Sequence, residues 1–177
     1  MDPYANILSR RMVSKVLPEA PTKQEIEALL DAAVRAPTHH LTQPWRFIVL
    51  TGPALDDLGE AMAGRLQEMD PAPEGLADKI ALEKSRPHRA PVIIVVVYTP
   101  SSHPKAIEVE DRYSIGAATE NLLLAAHARG LGAYWRTGPA AEYAGVKKHL
   151  GLDETQEVAG FIYVGYPDPD GPTSMSN

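Results

Sequence analysis

The sequence predicts a mixed fold in which helices surround a central β-sheet. One observation is a run apolar at every position, Pro91–Tyr98 (PVIIVVVY), which reads as a strand buried on both faces and so lying mid-sheet. Another is a set of three further strand-like runs, Trp45–Thr51, Gly132–Thr137 and Glu157–Tyr166, bounded by Gly, Pro or turn residues. The third is a long helical segment, Ile107–Arg129, apolar nearly all round over Ile115–Ala128 and therefore buried, with Gly130 as its natural stop.

The remaining elements follow in chain order. Residues 2–11 can form a short helix ending at Arg10-Arg11. Thr22-Lys-Gln-Glu25, just after Pro21, is a capping-box signature, and Ile26, Leu29, Leu30 and Ala33 continue it at helical spacing. Pro37 disfavours the α conformation at Ala36 and ends that helix, leaving Ala36–Pro44 as a loop. Ala54–Met69 and Gly75–Ser85, separated by the Asp70–Glu74 break, read as peripheral amphipathic helices, and Glu142–Leu150 as a short one. With 177 residues the chain suits one domain, 1–167. The Pro-, Asp-, Gly- and Ser-rich segment 168–177 is expected to be a flexible tail unless it docks on a partner.

Composition narrows the function classes. A formal net charge of -6 argues against a nucleic-acid partner, which would need clustered Lys and Arg. With no cysteine, thiolate catalysis, disulfides and Cys-type zinc sites are excluded, so redox chemistry would need a bound cofactor. No apolar run reaches the ~20 residues needed to cross a bilayer, and the opening MDPYANILSRR lacks a signal-peptide core; a cytoplasmic protein is expected.

Three segments could carry chemistry. Arg10-Arg11-Met12-Val13-Ser14-Lys15 gathers three cations and a hydroxyl and could hold a phosphate, although alone it reads more readily as a solvated charged helix end. Arg35–Arg46 is a polar loop leading into a strand, where His39, His40 and Gln43 offer donors and acceptors for a ring edge and Trp45 could be a core anchor. Adjacent histidines rarely point the same way, so no metal site is expected. In Gly130–Pro139 a helix ends and a strand runs to Trp135-Arg136-Thr137; helix termination explains Gly130, loop geometry explains Gly132, and neither a Rossmann fingerprint nor a P-loop is present. No serine sits in a nucleophile elbow, and Glu108, Glu110 and Asp111 read as the exposed acidic start of a helix.

Together these segments resemble the nitroreductase family of flavoenzymes, in particular its small single-domain bacterial branch. The family's Arg-Arg-Ser-x-Arg opening corresponds to Arg10–Lys15, and its Ala-Pro-Ser-x-x-Asn-x-Gln-Pro-Trp-x-Phe loop to Ala36–Phe47. Its buried helix with Gly-Leu-Gly-x-x-Trp corresponds to Ala117–Trp135, and its Val-Gly-Tyr-Pro to residues 164–167. The resemblance implies an α+β fold with a mixed sheet in an intertwined homodimer, one FMN lying in each of two clefts between subunits.

By that resemblance Arg10, Arg11, Met12 and Arg35 would bind the phosphate and ribityl end of FMN, and His39 and Gln43 would approach the flavin from the partner subunit. Trp135, Arg136 and Thr137 would line its other side, and the helix end Ala125, Ala126, His127, Ala128, Arg129 and Gly130 would lie near the nicotinamide nucleotide, NADH or NADPH. The activity implied is ping-pong two-electron reduction of nitroaromatics, quinones or related small-molecule oxidants, with no dedicated acid or base. Met12 in place of a hydroxyl, Lys15 in place of an arginine and Leu41 where many relatives carry Asn depart from the pattern. They keep open a protein that stores or senses FMN without turnover.

Overall fold

The computed structural model describes residues 2–69 and 71–171. Six α-helices and four strands follow one another as α1 (Pro3–Ser9), α2 (Lys23–Ala33), β1 (Trp45–Thr51), α3 (Pro53–Gln67), α4 (Leu76–Ser85), β2 (Val92–Tyr98), α5 (Glu108–Ala128), β3 (Gly132–Arg136), α6 (Ala144–His149) and β4 (Glu157–Gly165). Short 3-10 turns occupy His39–Leu41, Pro87–Arg89 and Pro139–Glu142. No helix among the described residues is long and apolar enough to cross a membrane.

The strands are ordered β1-β2-β4-β3, and β4 runs against both of its neighbours. The α+β class holds, while the strand directions expected to be mixed are antiparallel throughout this sheet. All seven residues of β2 are buried, as an all-apolar central strand requires.

Period-two alternation sends the side chains of β2 and β4 into two cores. On one face Val92, Ile94, Val96, Ile162 and Val164 pack against Ile26, Leu29 and Ala33 of α2 and Ile115, Ala118 and Leu122 of α5. On the other, Ile93, Val95, Val97, Phe161 and Tyr163 meet Leu55, Leu58 and Met62 of α3 and Val146 of α6. Helix α3 is therefore a core layer, contrary to the peripheral position expected of it. Helix α4, with no buried residue, is peripheral as expected.

Local chemistry sets the helix ends. Thr22 and Glu25 cap α2 reciprocally, and the Tyr166 hydroxyl donates to the same Glu25 Oε2 at 2.9 Å, tying the helix start to the end of β4. At the C-terminus of α5, Gly130 adopts φ +74, and the Gly130 and Leu131 amides donate to His127 and Ala126 carbonyls, a Schellman stop. Helix α1 ends at Ser9, one residue short of the arginine pair expected to close it.

Gly132 is not a loop glycine: it lies in β3, where a Cβ would come within 2.8 Å of Val13 Cγ1. Gly165 similarly makes room for Val16, with a Cβ 2.8 Å from Val16 Cβ. The segment after α1 consequently lies flat on the sheet end, its Val13 amide donating to the Ala133 carbonyl and its Leu17 amide to that of Tyr166. Residues 168–171, expected to begin the tail, are anchored there by an Asp168 amide bond to Lys15 O and a Lys15–Asp168 ion pair of 2.9 Å. The rest of the expected tail, 172–177, lies outside the described residues.

Candidate functional site

Helix α5 organises the candidate residues. Along one flank α1 docks through Asn6, whose Nδ2 donates to Leu124 O at 3.0 Å, and Ser9 Oγ lies 2.9 Å from His127 Nε2. Arg10 Nε pairs with Glu120 at 3.2 Å, whereas Arg11 is exposed and folds its guanidinium back onto the Leu8 and Arg10 carbonyls, both at 2.8 Å. Of the cations in this segment, Arg10 and Lys15 are each engaged by a carboxylate. Burial first, then the charges of Arg10 and Arg11, push the His127 imidazole below its ordinary range. Within the expected nucleotide segment, Ala126 faces the core and is fully buried, so only the residues around it present side chains outward.

Beside the N-terminal half of α5 runs the loop 36–44. Arg35, just ahead of it, is exposed. Three non-glycine residues of the loop take positive φ, His40 at +49, Leu41 at +56 and Gln43 at +44. Such positions cost on the order of 1–3 kcal/mol each and persist only where surrounding contacts impose them. Here Thr42 Oγ1 donates to Asp111 Oδ1 at 2.6 Å, His39 Nδ1 lies 3.2 Å from Glu110 Oε2, and the Thr99 amide donates to Pro44 O. The His40 ring contacts that of His39 edge-on and stacks on His103 at 5.2 Å. Asp111, read from sequence as exposed, is 1% exposed and receives this Thr42 hydroxyl. His39 also lines a groove of 470 Å³ with Thr38, Glu110, Tyr113, Ser114 and Ala117.

Strand β3 separates residues expected to act together. Trp135 faces the α5 side, over Gly160, and lines a 320 Å³ cleft with Tyr98, Arg112, Gly116 and Ala159. Its Nε1 is buried without a hydrogen-bond partner. In that cleft Arg112 stacks on Tyr98 and makes a bidentate pair with Glu157, both bonds 3.0 Å, so its charge is already neutralised.

Arg136 lies on the opposite face, its guanidinium 5.7 Å from the Tyr134 ring centroid, and opens on a different cavity of 60 Å³. That cavity is lined by Arg136, Thr137 and Gly138 at the end of β3, by Met62, Phe161 and Tyr163, and by Arg86. Arg86 Nη2 pairs with Glu83 at 3.2 Å, but its Nε is buried and has no partner. Burial pushes the Tyr163 phenol up, opposed by the positive charges of Arg136, Arg89 and Arg86. Two guanidinium side chains lining one cavity at a strand end suit the electron-rich edge of a heterocycle. Arg86 and Tyr163 were not legible in the sequence: neither lies in a motif, and they reach Arg136 only through the pairing of β3 with β4 and the placement of the α4 C-terminus.

Comparison with known proteins settles the class. The family model described as nitroreductase family matches residues 7–166. The chain belongs to the nitroreductase family. It is 34% identical over 178 residues to YdjA of Escherichia coli (strain K12), named as an NAD(P)H nitroreductase, covering 99% of this chain and 94% of that protein. A nitroreductase-like protein from Bacillus cereus superposes with a TM-score of 0.85 at 26% identity, covering 100% of this chain and 91% of that one. A Desulfovibrio desulfuricans protein, described as a nitroreductase in complex with FMN, gives a TM-score of 0.74 at 27% identity, covering 100% and 92%. The family resemblance read from four sequence segments is borne out.

Proposed function

We propose that this chain is an FMN-dependent NAD(P)H oxidoreductase, acting as a cytoplasmic homodimer on nitroaromatic, quinone or related small-molecule acceptors in a ping-pong cycle. The observation that carries the reading is the cavity at the end of β3, which Arg86 and Arg136 line together with Thr137 and Gly138. Flavin cofactors gather negative charge at the pyrimidine edge on reduction, and two guanidiniums favour that charge. The cavity admits the edge of a ring, so the body of the cofactor would lie outside it, toward Arg10–Lys15.

When bound, FMN would supply two-electron redox chemistry between NADH or NADPH and the oxidant. The protein's part is binding and orientation. Arg10, Arg11 and Arg35, with the backbone of Met12, would hold the phosphate and ribityl end; Arg10 and Lys15 would exchange Glu120 and Asp168 for phosphate oxygens, and Arg11 would give up backbone carbonyls. Trp135, Arg136 and Thr137 would meet the ring through β3, with Trp135 contributing from the α5 side and Arg136 from the other. His39 and Gln43, on their pinned loop, would reach the flavin of a second copy. His127, Ala128, Arg129 and Gly130, with Ala125 and the backbone of Ala126, would border the nicotinamide nucleotide. Protons for the acceptor would come from solvent, since no side chain is assigned that task.

Dimerisation is supported by exposed apolar side chains near these elements: Tyr4 at 70%, Ile7 at 58% and Leu8 at 57% on α1, and Tyr113 at 72% on α5. The placement is tested by titrating FMN into Arg86→Gln and Arg136→Gln and following flavin fluorescence. Each should weaken binding by roughly tenfold, the worth of one charge-assisted hydrogen bond. Unchanged affinity in both variants would contradict the placement.

A further inference from the structure

We propose that Leu41 is a specificity-determining residue of the acceptor site, making it favour uncharged aromatic acceptors over anionic ones. The inference rests on the dimeric flavin reading above and adds to it the class of acceptor.

Two features of Leu41 are unfavourable in the isolated chain. It is 82% exposed, more than any other large apolar residue among the described residues, and its φ of +56 places a bulky residue in the left-handed region. An Asn or Gly at this position would relieve both costs. The loop cannot relax around Leu41, because the Thr42–Asp111 bond of 2.6 Å, the His39–Glu110 contact of 3.2 Å and the Thr99–Pro44 backbone bond of 2.8 Å fix it on both sides. An isobutyl group is therefore held outward, outside both core clusters.

If the loop reaches the flavin cleft of a second copy, Leu41 arrives at the face where an acceptor must lie. There it offers apolar contact to an aromatic ring, supplies no donor to a carboxylate or sulfonate, and displaces water that would solvate one. The chemistry is unaltered: a quinone gains two electrons and two protons to become a hydroquinone, the hydride coming from NAD(P)H and the second proton from solvent.

The test compares Leu41→Asn and Leu41→Gly with the unsubstituted holoenzyme, using 1,4-naphthoquinone and its 2-sulfonate as acceptors. Both variants should lose roughly tenfold in kcat/KM for the uncharged quinone, mainly through KM, and little for the sulfonate. Calorimetric titration with redox-inert 2-naphthol and naphthalene-2-sulfonate should show the same change in preference without turnover. Neither variant should melt below the parent, because both residues tolerate positive φ. Equal losses with both acceptors, or no change in either, would overturn the role of Leu41. A parent protein that binds FMN and turns over neither quinone would overturn the acceptor class, and one that binds no FMN would overturn the underlying functional reading as well.

Discussion

Gly160 shows how closely single residues are constrained beside the candidate site. A Cβ there would overlap the Trp135 indole and lie 3.1 Å from the Arg136 carbonyl, with backbone on one side and a packed ring on the other. Gly160→Ala should destabilise the fold by about 1–3 kcal/mol, measured by urea unfolding, and shift tryptophan emission as the indole moves. His127 provides a pH signature. Its folded-state pKa is lowered, by burial first and then by Arg10 and Arg11, so the unfolded chain binds the proton more readily. Stability linked to this group is present above the ordinary histidine range and is lost as pH falls through it. Melting temperatures between pH 7.5 and 5.5 should fall less steeply in His127→Gln, and parallel slopes would contradict the assignment. At this scale the helix stop at Gly130 was legible, because a single backbone conformation demands it. Gly132, Gly160 and Arg86 were not, since their neighbours come from strands and loops distant in sequence.

The loop 36–44 depends on a bond to α5 that no local pattern announces. Asp111 is 1% exposed and receives the Thr42 hydroxyl, so Thr42→Val leaves a buried carboxylate short of a donor. A loss of about 1.5–3 kcal/mol is expected in thermal or urea unfolding, together with weaker FMN binding as the loop 36–44 loosens. The helices and strands themselves were legible to within a few residues, because capping residues, prolines and the period of apolar positions are local signals. Pairing is not local. The antiparallel order β1-β2-β4-β3 and the core position of α3 follow from which faces meet, and Leu55, Leu58 and Met62 look alike in sequence whether they cover a sheet or a rim. Likewise Trp135 and Arg136 appeared to act on one side of a ligand, whereas strand alternation sends them to opposite faces.

For the molecule as a whole, family membership was legible because four segments occur in the right order, each motif weak alone. Assembly is the expectation that follows. Analytical ultracentrifugation should give the mass of two chains, and Ile7→Asp, which places charge on the exposed apolar face of α1, should shift the protein toward one chain with loss of bound flavin. A two-chain mass in that variant would move the interface elsewhere. The central claim, that this chain binds FMN and reduces it with a nicotinamide nucleotide, is tested most directly by a visible spectrum of the FMN-loaded, desalted protein before and after anaerobic NADH or NADPH. Flavin absorbance should be retained at about one per chain and bleached by at least one nucleotide; a colourless desalted protein, or bands that persist with both nucleotides, would show that the chain is no flavin reductase.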